Sequence, residues 1–443
     1  MRIVKFIAVS FIATTIALES SVAKAQDPLD ASQSKEAQEW RVLLIIKPET
    51  DLRLKDQPPI KTKIAADNIT AVKKAFLEYT PYWVSKVSEG RLRWKAEAVI
   101  SPTPVTAVSE MGKGTYWVAP WNIPEDIQKF VPPGIYDGVF VYWKAAEEKG
   151  NAINTGFGWS IGPHDAANNC GYTCVHYANS DLWGRDSEFT EVFLHEWLHQ
   201  LEGFYGSKGV KLPKGGLHGA TAYGYEHHPT QFWKPWYRDF IAGDVRESDG
   251  SKTGLGEKAW SLGTIRDEQR IFTPQYLTPE LKKQNLFRNG SFEGADLFDW
   301  TFVSWRGITN SGKSVSVVAH DGKQKNAAVL NAAEADDLGF RQKIPVKPKT
   351  RYLCCGWAKT EGVTVVEQGG TIGANLSVWG GYEHSSFRLT GTTDWTYLSF
   401  IFDSGERTTV EVGVRLGFYS STVTGKAWFD DICLIEIPEK AAK

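Results

Sequence analysis

Hydrophobic and polar positions follow two different rhythms along the chain, and the change falls near residue 270. Upstream of that point, apolar runs of strand length alternate with segments whose apolar residues recur at helical spacing. Ser187 is a favourable N-cap for one of these helices, and Gly203 is a favourable residue to end it. The predicted strands are 41–47, 92–100 and 136–143, and the predicted helices are 65–88, 187–203 and 233–240.

Downstream of residue 270, short alternating runs are separated by turn residues, and long helical periodicity is missing from the sequence. This pattern predicts an all-β domain, a sandwich or jelly roll, over 285–437. A short polar segment, 271–284, is the predicted linker, and 438–443 form a tail. The upstream segment, 26–270, mixes strands and helices and is predicted to be a separate α+β domain.

Composition narrows the classes of protein that this chain can be. Its 443 residues are 42% hydrophobic and 23% charged, which is typical of globular domains and excludes a disordered chain or a coiled-coil rod. With 52 acidic and 50 basic residues the net charge is −2, so no basic excess points to nucleic acid or an anionic membrane. The 18 tryptophans suit large cores and sugar-stacking surfaces.

The first 25 residues have the pattern of a secretory signal peptide. Arg2 and Lys5 form a basic start, an apolar run follows over 6–18, and Ala23-Lys24-Ala25 provides a small-residue cleavage pattern. The run is short for a bilayer span, and the sequence predicts none in the mature chain. We therefore expect a secreted or periplasmic protein.

Export permits disulfides. Cys170 and Cys174 are close enough in sequence to close a small loop, and either Cys354 or Cys355 can be expected to meet Cys433. Five buried, reduced cysteines are the equally open alternative, and none has the paired spacing of a zinc site.

The chemistry of the chain is concentrated in the segment 191–206, EVFLHEWLHQLEGFYG. His195 and His199 are four residues apart, so both imidazoles leave the same face of the predicted helix and can bind one zinc ion. Glu196 lies beside them, within reach of a water held at the metal, and can act as general base. The apolar residues of the segment form a second stripe on the helix, as expected for a helix between a core and a cleft.

This motif resembles that of the zincin metallopeptidases. The resemblance implies an exported zinc peptidase that hydrolyses peptide bonds by a zinc-activated water, in a zincin-like α+β domain. It also implies a mostly antiparallel sheet packed on the motif helix, with an edge strand that pairs with the substrate backbone. The segment 155–161, TGFGWSI, is the expected edge strand.

His218 is the favoured third zinc ligand, since it follows a Gly-Gly turn that can fold back over the helix, at a distance from His199 that resembles the gluzincin pattern. Glu202 shares the helix face with the two histidines and is expected to hydrogen-bond a ligand histidine from outside the metal's own ligand set. The other candidates for the third ligand are Glu202 itself, Glu226, His227 and His228.

Further polar residues are candidates for the cleft. Tyr223 or Tyr225 can be expected to steady the oxyanion, with plain packing as the alternative. His164, Asp165 and His176 precede the motif helix and are either cleft residues or ordinary loop groups.

The downstream domain carries its own motifs. The stretch 285–294, NLFRNGSFEG, is followed by Trp300, and the domain closes with AWFDDICLIEI. Together they resemble the jelly-roll carbohydrate-binding modules of families 4 and 9. The resemblance implies a structural calcium ion, held here by Glu293 and by Asp430 or Asp431, whose carboxylate oxygens suit that ion.

Sugar binding requires an exposed aromatic face with polar neighbours. Trp379 and Tyr382 are the candidates, because they lie in a Gly-rich polar stretch, with packing as the alternative for Trp379. Trp305 and Trp395 are weaker candidates. The expected partners are a protein or glycoprotein substrate and a polysaccharide or cell-surface glycan. The alternative is a glycan-binding or adhesive protein with an inactive zincin-like domain. A third hypothesis keeps the metal site but gives it an amide of a cell-wall or sugar polymer.

Overall fold

The computed structural model describes residues 37–55, 57–112, 114–307, 312–366, 373–380, 386–419 and 421–438. The expected signal peptide lies outside these residues. Among the described residues, no helix is both long enough and apolar enough to cross a bilayer.

The upstream domain alternates strands and helices. The strands are β1 (Gln38–Ile46), β2 (Glu49–Leu52), β3 (Ile60–Lys63), β4 (Leu92–Ile100), β5 (Ser109–Glu110), β6 (Tyr116–Trp117), β7 (Gly138–Trp143), β8 (Gly158–His164), β9 (Cys170–His176), β10 (Val245–Arg246) and β11 (Lys252–Thr253). The helices are α1 (Ala66–Lys74), α2 (Thr80–Val87), α3 (Pro124–Phe130), α4 (Glu188–Gly206), α5 (Lys234–Ala242), α6 (Gly256–Trp260) and α7 (Ile265–Gln269).

The predicted helix over 65–88 is confirmed, because a π-helical turn, Ala75–Tyr79, joins α1 to α2 without a break. The motif helix α4 begins as predicted, with Ser187 Oγ accepting a hydrogen bond from the Phe189 amide. It continues to Gly206 and does not end at Gly203, so Gly203 lies inside the helix.

Five strands form the central sheet, in the order β4-β1-β7-β9-β8. The pairs β4–β1, β1–β7 and β7–β9 are parallel, and only β8 runs antiparallel to its neighbour. The expectation of a mostly antiparallel sheet is therefore wrong. The edge strand is confirmed at Gly158–His164, slightly downstream of the expected 155–161.

Both faces of this sheet are buried, as parallel strands require. On β1, Val42 and Leu44 face the core that contains α4, while Leu43 and Ile45 face a second core beneath α3. The α4 side is rich in aromatic contacts, and Trp197 packs edge-on against Trp40, with ring centroids 5.5 Å apart. Burial of these rings fixes the motif helix against the sheet.

Helix α4 and strand β8 approach each other closely at two glycines. A Cβ added to Gly203 would lie 3.0 Å from the Gly162 Cα, and a Cβ added to Gly162 would lie 3.2 Å from the Gly203 Cα. Glycine at both positions lets the two backbones touch. The edge strand is therefore held directly against the helix that carries the His-Glu motif.

The downstream domain is the predicted all-β sandwich, which is confirmed. Its strands are β12 (Thr301–Ser304), β13 (Gly312–His320), β14 (Lys323–Asp336), β15 (Leu338–Pro345), β16 (Arg351–Val365), β17 (Ala374–Trp379), β18 (Gly391–Asp403), β19 (Thr409–Leu416) and β20 (Val423–Glu436). They form a four-stranded sheet, β12-β15-β19-β17, and a five-stranded sheet, β13-β14-β20-β16-β18, with antiparallel pairing throughout. Inward residues such as Leu376 and Phe429 fill the space between the sheets.

The segment 271–284 is not a simple polar linker. It contains short 3₁₀ turns and helix α8 (Pro279–Lys282), and its apolar side chains, including Leu277, pack against the outer face of the five-stranded sheet. Ser399 Oγ on β18 donates a hydrogen bond to the Phe272 carbonyl at 3.1 Å. On the other side, Thr273 packs against Gly134 of the upstream domain. The segment thus contacts both domains.

All five cysteines are buried free thiols. Cys170 and Cys174 lie four residues apart in the single strand β9, about 13 Å from each other at strand rise, so they cannot close the expected loop. Cys355 and Cys433 are directly opposite each other on the paired strands β16 and β20.

Candidate metal centre

The structure brings three histidines together at one point. His195 and His199 project from the same face of α4, and the Gly-Gly turn at Gly215 and Gly216 returns the chain so that His218 faces them. The Nε2 atoms are 3.2 Å apart for His195 and His199, 3.2 Å for His195 and His218, and 3.1 Å for His199 and His218. Among the described residues, these three form the only group of three or more potential metal ligands within range of one ion.

The donor set fits a zinc ion. Nitrogens bound tetrahedrally at about 2.0–2.1 Å from zinc lie about 3.3 Å apart, close to the separations found here. His195 and His199 are half-buried and His218 is exposed, so the triad is open on one side. Three protein ligands with an open position are typical of catalytic zinc, whereas structural sites are closed by a fourth ligand.

The surroundings of His195 and His218 favour the neutral form of imidazole, which is the form that binds a metal ion. Burial, with the neighbouring His199 and His218, lowers the pKa of His195 to about 3. Burial and the neighbouring His199 also lower the pKa of His218.

A carboxylate connects two of the histidines. Glu202 Oε2 lies 2.8 Å from His199 Nδ1, and its other oxygen, Oε1, accepts a hydrogen bond of 3.0 Å from the Leu217 amide, next to His218. A Cβ on Gly216 would lie 1.7 Å from Glu202 Oε1, so only glycine allows this approach. Glu202 lies in the predicted position outside the triad, where it holds His199 and the loop of His218 at once.

Two further hydrogen bonds, which the sequence did not predict, hold His195 and the loop of His218 in place. Tyr237 Oη on α5 lies 2.9 Å from His195 Nδ1, and Trp236 Nε1 donates to the Leu217 carbonyl at 2.8 Å. Both residues belong to the run 233–240, for which only a helix was predicted. Its helical spacing gave no indication that one hydroxyl would reach a histidine 42 residues away.

Glu196 points from α4 towards the edge strand. Its carboxylate is buried, Ser160 Oγ donates to Oε2 at 2.7 Å, and a Cβ on Gly158 would lie 2.2 Å from Oε1. Burial raises the pKa of Glu196 above its ordinary value, and the Ser160 hydrogen bond opposes that shift. A carboxyl group with a raised pKa suits a general base near neutral pH.

The other candidates for the third ligand have different partners. His227 Nε2 lies 3.1 Å from Glu188 Oε1, and His228 Nδ1 accepts hydrogen bonds from the Thr230 and Gln231 amides. Neither these two histidines nor Glu226 joins the triad.

Tyr223 and Tyr225 direct their hydroxyls to other groups. Tyr223 Oη accepts a hydrogen bond from the Lys214 amide and donates to Glu247, while Tyr225 Oη donates to Asp239. The predicted role in steadying an oxyanion therefore gains no support from their geometry.

The loop candidates are also outside the triad. His164 packs against the Trp121 ring and pairs with Asp165, whereas His176 Nε2 accepts a hydrogen bond from the Ala145 amide.

The two aspartates of the predicted calcium site have protein partners. Asp430 is buried, with Oδ2 2.6 Å from His320 Nδ1, and Asp431 Oδ2 lies 3.2 Å from Lys325 Nζ. The positive charge of Lys325, which is also 3.7 Å from Asp430 Oδ2, opposes binding of a cation by either carboxylate. Within the described part of the chain, neither Glu293 nor either aspartate belongs to a group of three or more potential metal ligands.

The predicted sugar platform at Trp379 is occupied by protein atoms. A Cβ on Gly339 would lie 2.3 Å from the indole, and the Arg415 guanidinium stacks 4.2 Å from the ring centroid. Of the two alternatives for Trp379, packing is the one that the structure shows, because both neighbours lie against the ring. Tyr382 lies outside the described residues. Trp395 stacks on His320, and Trp305 is 64% exposed.

No protein-family model matches the chain, and no curated protein matches it. Solved structures with some similarity include the enzymatically active domain of bacteriophage CBA120 tailspike protein 4, at 14% identity over 35% of this chain and 22% of that one, with a TM-score of 0.27. The chain thus spans about a fifth of that protein.

Carbohydrate-binding modules are also among the similar structures. The module TmCBM61, solved with β-1,4-galactotriose, is 18% identical over 34% of this chain and 99% of its own length, with a TM-score of 0.25. A family 16 module is 21% identical over 34% of this chain and 100% of its own length, with a TM-score of 0.24. All these TM-scores are below 0.5, so the assignment of the sandwich rests on its own strand pairing.

Proposed function

We propose that this chain is an exported, secreted or periplasmic, zinc-dependent metallopeptidase. The observation that carries the proposal is the set of three Nε2 atoms, 3.1–3.2 Å apart. Glu196 follows His195 on the same helix, and its carboxyl group interacts electrostatically with His199. His195, His199 and His218 would hold the ion. When bound, zinc lowers the pKa of a water molecule and polarises a carbonyl group.

The chain's own residues supply the remaining steps. Ser160 holds Glu196 Oε2, so Oε1 is the atom that would take the proton of the attacking water and pass it to the leaving amine. Tyr237 and Glu202 keep the His195 and His199 rings in orientation. The outer edge of β8, which is the last strand of the described sheet, would pair with the backbone of an extended peptide next to Glu196.

Metal content is the first test. We expect one zinc per mature wild-type chain by elemental mass spectrometry, and loss of that zinc in His199→Ala. Glu188→Gln, an exposed change on the same helix, is the matched control and should retain the zinc. A wild-type protein refolded with zinc that binds none would overturn the proposal.

Turnover is the second test. Glu196→Gln should retain zinc and lose cleavage of a peptide library by at least about 10³-fold, because the general base is removed. If Glu196→Gln cleaves as fast as the wild type, the peptidase assignment is wrong. Including amides of cell-wall and sugar polymers in the substrate panel separates a peptidase from a hydrolase of such polymers.

A glycan-binding or adhesive protein, with an inactive metal domain, is the second candidate. It is favoured by large aromatic side chains on the surface of the sandwich, where Phe298 is 94% and Trp305 is 64% exposed. Retention on a glycan array by wild type and Glu196→Gln alike, with no turnover by either protein, would support this candidate.

A further inference from the structure

A groove separates the upstream domain from the sandwich. One wall is α3 with the turn before it, and the other is β18, and these walls bound two cavities of about 370 and 470 Å³. Neither cavity is lined by a residue of the histidine triad. The groove is therefore a feature distinct from the metal centre, with room for several rings of a ligand in its two sections.

Trp121 forms a fixed aromatic surface in the larger section. The side chain is 41% exposed, and its Nε1 donates a 2.7 Å hydrogen bond to Ser109 Oγ. The His164 ring packs against the indole with centroids 5.4 Å apart. These contacts hold the indole in place without covering it, and Pro124 adds an apolar neighbour in the same section.

The charges of the groove are balanced. Asp165 and Arg388 line the larger section, while Glu125 and Lys129 line the smaller one. Each section therefore offers one acid and one base, and neither an anionic nor a cationic polymer gains net attraction.

The other polar side chains of the smaller section are the Gln128 amide and four hydroxyls, which come from Thr390, Thr392, Thr393 and Thr396. Hydroxyls donate and accept hydrogen bonds, and they suit a ligand that carries hydroxyls itself.

We propose that the groove between the two domains binds a neutral oligosaccharide, with one sugar ring stacked on Trp121. An aromatic face supplies the apolar contact that a sugar ring needs, and the threonines and paired charges supply hydrogen bonds. This inference depends neither on the metal site nor on the exposed aromatic residues of the sandwich.

The test is calorimetric titration of the full mature chain with cellohexaose, xylohexaose, mannohexaose and chitohexaose. A sulfated heparin hexasaccharide serves as the anionic comparison. The protein carries Glu196→Gln, so a failed peptidase proposal leaves the result unaffected. We expect binding to at least one neutral hexasaccharide, and a dissociation constant at least tenfold higher in Trp121→Ala. Trp305→Ala, which removes an exposed indole of the sandwich, should change the dissociation constant less than twofold.

Thr392→Trp, which adds bulk to the wall formed by β18, is the second variant in case Trp121→Ala unfolds, and should weaken binding similarly. Binding to none of the neutral sugars, stronger binding to the heparin fragment, or full binding by folded Trp121→Ala or Thr392→Trp would each overturn the proposal. Loss of binding in Trp305→Ala alone would instead locate the sugar on the sandwich. Displacement of the sugar by an unglycosylated peptide of equal or higher affinity would identify the groove as a peptide site.

Discussion

Glu202 and His199 are joined by a 2.8 Å contact between a carboxylate oxygen and Nδ1, and the same carboxylate anchors the loop of His218. One side chain thus orients two of the three proposed ligands. Because both of its oxygens have protein partners, we propose that Glu202 positions the ligands and does not itself bind the metal.

Glu202→Ala is therefore expected to weaken zinc binding by about 10- to 100-fold, the usual effect of removing a partner of a ligand histidine. Competition with a fluorescent chelator measures the change, and excess zinc should restore part of the turnover. Glu188→Gln on the same helix should bind zinc like the wild type. Unchanged affinity in Glu202→Ala would exclude this orienting role.

Tyr237→Phe tests the hydrogen-bond partner of His195, one of the three proposed zinc ligands. The hydroxyl removed is the one 2.9 Å from His195 Nδ1, and we expect zinc affinity to fall about tenfold with the fold retained. Tyr223→Phe is the matched control, since its hydroxyl bonds to Glu247. If Tyr223→Phe retained zinc but lost turnover, an oxyanion role for Tyr223 would return.

Gly203→Ala tests the contact between helix and edge strand. The added methyl would meet the Gly162 backbone at 3.0 Å, and backbone cannot swing aside as a side chain does. We expect the free energy of unfolding to fall by about 1–3 kcal/mol, the range for overpacking, as measured by urea denaturation. Gly184→Ala, with its nearest neighbour at 3.7 Å, should cost much less. Equal stability of the two variants would contradict the close approach.

His176 predicts a pH dependence of stability. Burial, with a smaller effect of Lys144, lowers the pKa of His176 from 6.5 to about 4. The unfolded chain binds this proton more tightly, so the free energy of unfolding should fall as pH drops from about 6.5 to 4 and then level off. The full effect is about 3 kcal/mol.

Urea denaturation in chelator at pH 7 and pH 4.5 measures that effect. His176→Gln retains an acceptor for the Ala145 amide but cannot titrate, so its stability should change less with pH than that of the wild type. The same change in both proteins would assign the dependence to other groups.

Much of the architecture could be predicted from local signals. Periodicity located the helix over 65–88 and the strand at 92–100, and the Gly-Gly turn pointed to His218. The parallel pairing of the sheet could not be predicted, since strand direction depends on contacts between segments far apart in sequence. The supporting hydroxyl of Tyr237 was missed for the same reason.

For Trp379, the sequence suggested an exposed ring that the structure does not have. Its Gly-rich, polar sequence context suggested an open ring, but Gly339, on a strand 40 residues earlier, is what lets the ring lie against the sheet. Local composition reports which residues are near in sequence and cannot report what covers a side chain. The Asp430–His320 pair was unpredictable on the same grounds, with its members 110 residues apart.

The segment 271–284 has a consequence for how the chain can be divided. Leu277 and its apolar neighbours cover Leu353 and Ile435 on the sandwich, while Thr273 fits against Gly134. Cutting the chain at residue 270 would leave this segment without its upstream contacts. Cutting it at 285 would expose the apolar side chains of the sheet that the segment covers. Heating should accordingly melt the two halves in one transition, and each half made alone should be less soluble than the whole.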